Sequence, residues 1–582
     1  MMSVRIAMLG FLAVITALAM PAAWGQTAPA GNAHPDTALV PEGESPNPFG
    51  NGMAPSGFSV EQKIEFAREV DLSPLRDLAV FNAGRVKILD TLARETVETL
   101  TGRKNYFDVR QQDGERAKKA AYDPLFTYLD LLIDPTYYFD KPLVHIEYLP
   151  LRRAMAERAT QDPERREALM RMTRLSPMTI SQTFAAVAEE HATDLPFSES
   201  LQRVRRLLGI FEHGHTALLL VAPDADPVEW QPISALPADD PARMAFRAMG
   251  EAWRSGDAAG VNAAAAEIAS ILPSINAEQY PDTQRRLEAV YNASKPFEYG
   301  YWLYAVSLLS LVLAFGTGRK WLVALGLTTL VVAITLHAFG FAARWAIAER
   351  LPIQNQFESM TGLALGGAIV GMLLMIARRQ WLFGAAAAGV GFLVLLAATQ
   401  TAIPGASIGR EAAILNTSYL LKYHVTTVLV SYGLITLGFI VSLFYLGTHY
   451  AARRRDPEAA AFAAEGLGLD SAKVNAGPQR VLSDLDTAQM TVLQLAFWTL
   501  GVGILLGAWW ADHSWGRWWA FDPKETWALL TWIIYLIIIH VRFTTKRNRA
   551  LVTAWLSVLG FIVMLWTYFG VNLILPGLHA YA

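Results

Sequence analysis

WGRWWAFDPKETWALLTW, Trp515 to Trp532, sets four charges and five tryptophans between two runs that are otherwise almost pure hydrocarbon. The charges are Arg517, Asp522, Lys524 and Glu525. Asp522-Pro523-Lys524-Glu525 reads as a helix start. A carboxylate at the N-cap accepts from backbone N–H groups, proline fits N1 where no donor is needed, and a glutamate at N3 reaches back to close a capping box. Both carboxylates also suit the positive end of the helix dipole. Their presence is thus explained by local structure, with proton exchange at Asp522 left open. A helix start between two runs long enough to cross lipid makes the stretch a connection between spans, and the fold polytopic.

The tryptophans need a further account. Trp509, Trp510, Trp515, Trp518, Trp519, Trp527 and Trp532 place seven of the chain's 17 tryptophans within one short window. An interfacial belt accounts for rings at span ends, as at Trp509, Trp510 and Trp527. The packed run inside the loop instead offers, through Trp515, Trp518, Trp519 and Phe521, a flat apolar platform for a large planar ligand. Both readings stand at this level.

Working outward, apolar segments of spanning length fall near 299–317, 321–342, 359–377, 381–400, 424–448, 491–510, 525–543 and 551–571. This predicts an all-α polytopic membrane protein with about eight transmembrane helices. The first enters from outside, because the chain upstream reads as exported. Loops then predicted to be cytoplasmic carry thirteen Lys and Arg (319, 320, 378, 379, 453, 454, 455, 473, 480, 542, 546, 547, 549). Those predicted outside carry six (344, 350, 410, 422, 517, 524). The bias agrees with the positive-inside rule and puts the tryptophan loop outside, between spans six and seven.

Upstream, Arg5, the apolar run Ile6–Met20 and Ala23-Trp24-Gly25 read as a secretory signal, residues 1–25, with an uncleaved anchor as the alternative. Residues 26–58 are rich in Pro, Gly, Ala and Asn and read as a disordered tether. Residues 59–295 read as a soluble, mainly helical extracytoplasmic domain, from the three-and-four apolar spacing of SVEQKIEFAREV, LDTLARETVETL and AAGVNAAAAEIASIL. His213 and His215 stand two apart, which on a helix turns them to different faces and gives no metal pair. Composition agrees: 53% hydrophobic and 17% charged residues suit a partly embedded chain, and a net charge of −3 argues against nucleic-acid binding. The chain has no cysteine, so any thiol chemistry must use another molecule's thiol.

The histidines fall at matched depths. His424, at the start of span five, and His579, after span eight, both come to the side and level of the tryptophan loop. Two neutral imidazoles and an aromatic platform are what a six-coordinate heme needs. His540 lies ~22 Å down span seven from Glu525 and is a functional candidate by its depth. His449 falls at a similar level, His337 nearer the outer face, and His513 is an alternative outer ligand.

WGRWWAFDPKETWALLTWIIYLIIIH, with GVNLILPGLHAYA, KYHVTTVLVSYG and RWAIAERLPIQNQFESM, resembles the tryptophan-rich WWD signature and membrane core of the CcsA/ResC proteins of System II cytochrome c biogenesis. The resemblance covers 299–582, with the WWD loop at 509–527. VFNAGRVKILDTLARETV and RRLEAVYNASKPFEYGYWLY also resemble the extracytoplasmic part of longer, fused members. It implies delivery of heme b across the cytoplasmic membrane and its covalent attachment to exported apocytochrome c at a CxxCH motif, as a holocytochrome c synthase or part of one. The alternative is a heme transporter or chaperone that presents heme to a partner synthase.

Carried over, His424 and His579 are the outer axial ligands. Trp515, Trp518, Trp519, Asp522 and Trp527 form the loop, and His540 is the transmembrane heme histidine. Phe521 departs from the pattern, standing where the family usually has a tryptophan. The implied partners are a CcsB/ResB-type membrane protein, apocytochrome c and thiol-reducing proteins. The upstream half lacks the spans that would carry the second transmembrane histidine. A separate partner chain is therefore expected to supply it, with His449 or His337 as internal alternatives.

Overall fold

The computed structural model describes residues 47–50, 56–110, 118–224, 229–401, 403, 405–409, 419–455 and 478–577. The chain divides into two compact units near Val290. The signal and most of the tether lie outside the described residues.

The first unit is mainly helical. Its helices are α1 (Val60–Glu69), α2 (Leu89–Thr101), α3 (Pro124–Ile133), α4 (Leu149–Ala159), α5 (Pro163–Arg171), α6 (Pro177–Glu190), α7 (Leu195–His213), α8 (Pro241–Ser255) and α9 (Ala258–Ile271). Ser59 opens α1 with a capping box: its hydroxyl accepts from Gln62 N, and the Gln62 side chain accepts from Ser59 N. A small sheet joins them, which the helical periodicity did not reveal. β1 (Ala79–Asn82) and β2 (Arg85–Ile88) form a hairpin closed at Asn82↔Arg85, with Ala83 and Gly84 both at positive φ. Two left-handed residues in a two-residue loop match the right-handed twist of the strands. β7 (Leu219–Val221) and β8 (Gln231–Pro232) extend the sheet to the order β2-β1-β7-β8. β3 (Phe107–Arg110) pairs with β4 (Lys118–Ala121), and β5 (Val144–His145) with β6 (Arg174–Leu175).

The core of this unit holds two buried polar knots. Lys63 reaches Asp130 at 2.7 Å and Asp134 at 2.9 Å, and Asp130 also accepts from Trp253 Nε1 and the Tyr138 hydroxyl. Burial pushes the Asp130 carboxyl up despite its cation. Asp108 accepts from the hydroxyls of Tyr106, Tyr122 and Tyr137. Asn47–Gly50 correct the tether assignment, because they belong to this core. Phe49 is 0% exposed and packs on Phe246 at 5.3 Å, and its carbonyl accepts from Arg254. A buried phenylalanine contributes roughly 2–3 kcal/mol, enough to hold the strip down.

α10 (Asp282–Ser294) leads through Lys295, at φ 39°, into the membrane unit. There α11 (Pro296–Thr317), α12 (Lys320–Ala348), α13 (Gln356–Arg378), α14 (Trp381–Gln400), α15 (Tyr419–Arg455), α16 (Pro478–Trp515), α17 (Pro523–Thr544) and α18 (Arg549–Leu565) follow, the last running on as a π-turn to Gly570. Eight helices among the described residues are long and apolar enough to cross a membrane, and each overlaps a predicted span. α15 and α16 are the most extensively packed pair. Glycine permits the closest approaches: a Cβ at Gly433 of α15 would sit 2.9 Å from the Leu363 carbonyl of α13.

One buried ionic knot ties the loops at the tryptophan-loop end. Glu358 receives Arg344 at 3.1 Å and Arg350 at 2.7 Å, while Arg344 donates onward to the carbonyls of Gly405 and Ala406. Asn355 caps α13 by accepting from Glu358 N.

Candidate functional site at the tryptophan loop

α16 ends at Trp515, and Gly516 takes φ +70°, the left-handed cap that frees the chain to turn. α17 begins as expected. Asp522 accepts from Lys524 N, and Glu525 accepts from Asp522 N and from Ala520 N at 2.9 Å. Asp522 is buried at this start, so its first task is to hold the loop's exit. The rings meet edge to face, Trp510 with Trp515 in the last turns of α16 at 4.9 Å and Trp519 with Phe521 in the loop at 6.4 Å. Trp518 is 55% exposed and Phe521 80%, the latter at φ 55°. Phe521 alone among these rings stands on a left-handed backbone, and it and Trp518 are the rings the loop turns outward.

The tryptophans divide into distinct settings. Trp509 is exposed on its helix, as a belt residue would be, but its neighbour Trp510 is only 3% exposed. Trp510 packs with Leu421 and, in part, Val425 and Trp515, so it sits against the first turns of α15. Its indole N–H finds no acceptor among the described residues. Trp532 is spoken for within the bundle, stacked on Phe497 at 4.9 Å and donating to the Phe497 carbonyl. Trp527 leans on Trp566 of the π-turn at 5.8 Å.

His424 lies in the turn that Trp510 covers. Its Nδ1 donates to the Gly503 carbonyl of α16 at 2.7 Å, since a carbonyl can only accept. That bond places the ring proton on Nδ1 and makes Nε2 the acceptor nitrogen. The ring rests on Gly507, where a Cβ would come within 2.5 Å of Cε1. Gly507 thus seats the imidazole, while Gly503, whose carbonyl the ring bonds, makes room for Val428 one turn further along α15. His579 lies outside the described residues. The chain leading to it is placed: a Cβ at Gly577 would stand 2.6 Å from Asp522 Oδ1, so the C-terminal segment runs against the loop's exit.

The remaining histidines separate clearly. His540 is exposed on α17, its Nδ1 donating to the Leu536 carbonyl one turn back, so the ring faces away from this chain's own helices. His337 is fully buried, with Nε2–H donating to the Thr361 carbonyl and Nδ1 accepting from Tyr304, so both nitrogens are engaged. His449 is buried beside Tyr445 at the opposite end of the bundle from the loop. His513 is exposed and bonded to its own helix at Trp509 O. No group of three or more potential metal-ligating His, Asp or Glu occurs among the described residues.

The family model described as cytochrome c assembly protein matches residues 297–579. The cytochrome c biogenesis protein CcsA of Pyropia yezoensis is 30% identical over 318 residues, covering 51% of this chain and 98% of its own length. The protein of the same name from Porphyra purpurea is also 30% identical, with the same coverage. That of Gloeobacter violaceus is 28% identical over 318 residues, 48% of this chain and 90% of its own. With the bundle, the loop and a relative matched over nearly its whole length, the chain belongs to the CcsA-type cytochrome c biogenesis proteins of the cytochrome c assembly family.

Proposed function

We propose that this protein carries heme b across the cytoplasmic membrane and holds it at the tryptophan loop for covalent attachment to exported apocytochrome c. The setting of His424 carries the reading. It is a tautomer-locked imidazole seated on glycine, near a buried indole N–H with no acceptor among the described residues and next to a loop with exposed rings. His424 and His579 are the axial ligands. Gly577, two residues before His579, lies against Asp522 at the loop's exit, which supports the pairing. Trp515, Trp518, Trp519 and Trp527 offer ring surface to the porphyrin, and Asp522 fixes the helix start behind them.

Heme is substrate here, as System II maturation requires. Each thiol of a CxxCH segment adds across a vinyl group, sulfur bonding to one vinyl carbon and hydrogen to the other. The protein's share is position: a planar ligand pinned at its iron presents its vinyl edge in one orientation. His540 is the ligand at which heme is acquired from the opposite face. Its exposure supports a second ligand from a CcsB/ResB-type partner chain, since His337 has both nitrogens engaged.

The test is the spectrum of the purified protein. Wild type should carry low-spin, bis-imidazole heme, and the His424→Ala, His579→Ala double variant should lose that signature at the outer site. A double variant with the full bis-imidazole spectrum would overturn the assignment. Coexpression with and without the partner, in a host lacking its own pathway, then separates attachment from presentation by heme staining of a reporter cytochrome.

A further inference from the structure

The end of the bundle away from the loop holds a polar interior that the heme reading does not use. Arg542 of α17 donates to Asp486 of α16 at 2.5 Å, both side chains 9% exposed. One turn further along α16, Gln489 donates to Ser442 of α15 at 2.7 Å. Tyr445 and His449 follow Ser442 on the same face of α15, both buried, and Tyr445 lies within electrostatic reach of Asp486 and Arg542. Arg549 opens α18 beside Asp486. Deeper in, Ser557 faces Gly438, where a Cβ would be 3.9 Å from its hydroxyl. Tyr535 sits against Gly560, one turn beyond Ser557.

Six of these residues leave buried atoms without a hydrogen-bond partner among the described residues: Asp486 Oδ1, Gln489 Oε1, Arg542 Nη1, His449 Nδ1, Ser557 Oγ and Tyr535 Oη. Arg549 Nε is a seventh such atom. An orphaned buried polar atom costs about 1–3 kcal/mol, so a cluster of this size cannot stay dry in a stable bundle. The mixture of donors and acceptors identifies the ligand. An anion would leave the acceptors Asp486 Oδ1 and Gln489 Oε1 unsatisfied, and a cation the donors Arg542 Nη1 and Arg549 Nε. Water serves both kinds, with two to four bonds each.

We propose that α15, α16, α17 and α18 enclose a hydrated chamber at this end of the bundle, with its mouth at Arg549, Asp486 and Arg542. Its floor is at Ser557 and Tyr535, about 10–12 Å deeper by helix rise. The chamber binds water and gives polar groups a route to that depth without crossing lipid. It is separate from the His540 position, because His540 and Arg542, two residues apart, face opposite sides of α17.

The absence of native cysteine makes the test clean. A thiol reacts as thiolate, and a thiol in a dry apolar core stays protonated. Ser557→Cys and Ser307→Cys are near-isosteric changes at two fully buried serines, the latter bonded to Gly326 O on α12. In nanodiscs, methyl methanethiosulfonate should modify Ser557→Cys at least about threefold faster than Ser307→Cys. A smaller excess overturns the proposal. Hydroxyl-radical footprinting of the wild-type protein removes any dependence on the variants. Tyr535 and Tyr445 should be oxidised while Tyr304, bonded to His337, is spared, and equal protection of all three overturns the chamber.

Discussion

Gly507 and Trp510 decide what His424 can do. Gly507→Ala would put a methyl where the imidazole lies, 2.5 Å from Cε1, and turn the ring off the Gly503 carbonyl. A lost hydrogen bond of ~1–1.5 kcal/mol corresponds to roughly tenfold weaker heme retention. Heme per protein should fall by that order with the amount of protein in the membrane unchanged. Trp510→Phe separates packing from donation: it keeps the apolar bulk and removes the orphaned N–H. Thermal stability should hold or rise while heme retention falls, and retention equal to wild type would show that the indole N–H serves no ligand. Neither residue stood out in the sequence beyond a belt pair and a small residue. Trp509 and Trp510 are adjacent letters, and only the packing of α15 on α16 sends one outward and the other inward. The depth of His424 was legible because it follows from span counting, which needs no packing.

At the level of elements, the start of α17 was readable residue by residue, since a capping box is written in four consecutive letters. Asp522→Ala should cost about 1 kcal/mol of that helix start. Hydrogen exchange in the 520–526 backbone should quicken, while exchange near Tyr535 stays unchanged. The knot around Glu358 was not readable, because its members come from three separated segments. Glu358→Gln leaves Arg344 and Arg350 buried with one neutral acceptor between them. Removing one partner of a buried pair costs ~3–5 kcal/mol, so the melting temperature should drop by several degrees, and an unchanged one would show the knot to be solvated. The β1–β2 hairpin was hidden for another reason. Four-residue strands carry too few alternations to compete with the helical period of LDTLARETVETL beside them.

Over the whole molecule, the relatives align with about half of this chain, 51% for the Pyropia protein, and the family model matches 297–579, within the membrane unit. The first unit is therefore judged by its own physics, and its histidines predict a pH response. His145 ends β5, donates from Nδ1 to Thr173 O at 3.1 Å and lies against Gly102, whose added Cβ would meet the ring at 2.6 Å. Burial first, and then the Arg174 charge, hold its pKa below the ordinary 6.5. His215 shifts the same way through burial and His213. A folded pKa below the unfolded one means that the unfolded chain takes the proton first. The contribution to stability is therefore full above 6.5 and is lost as pH falls from there through the folded value. Hydrogen exchange of the β5–β6 pair in the full-length protein, corrected for intrinsic rates, should loosen on the acid side of 6.5. In His145→Gln, which keeps a donor but cannot titrate, the response should flatten, and an unaltered pH profile would assign the effect to another group.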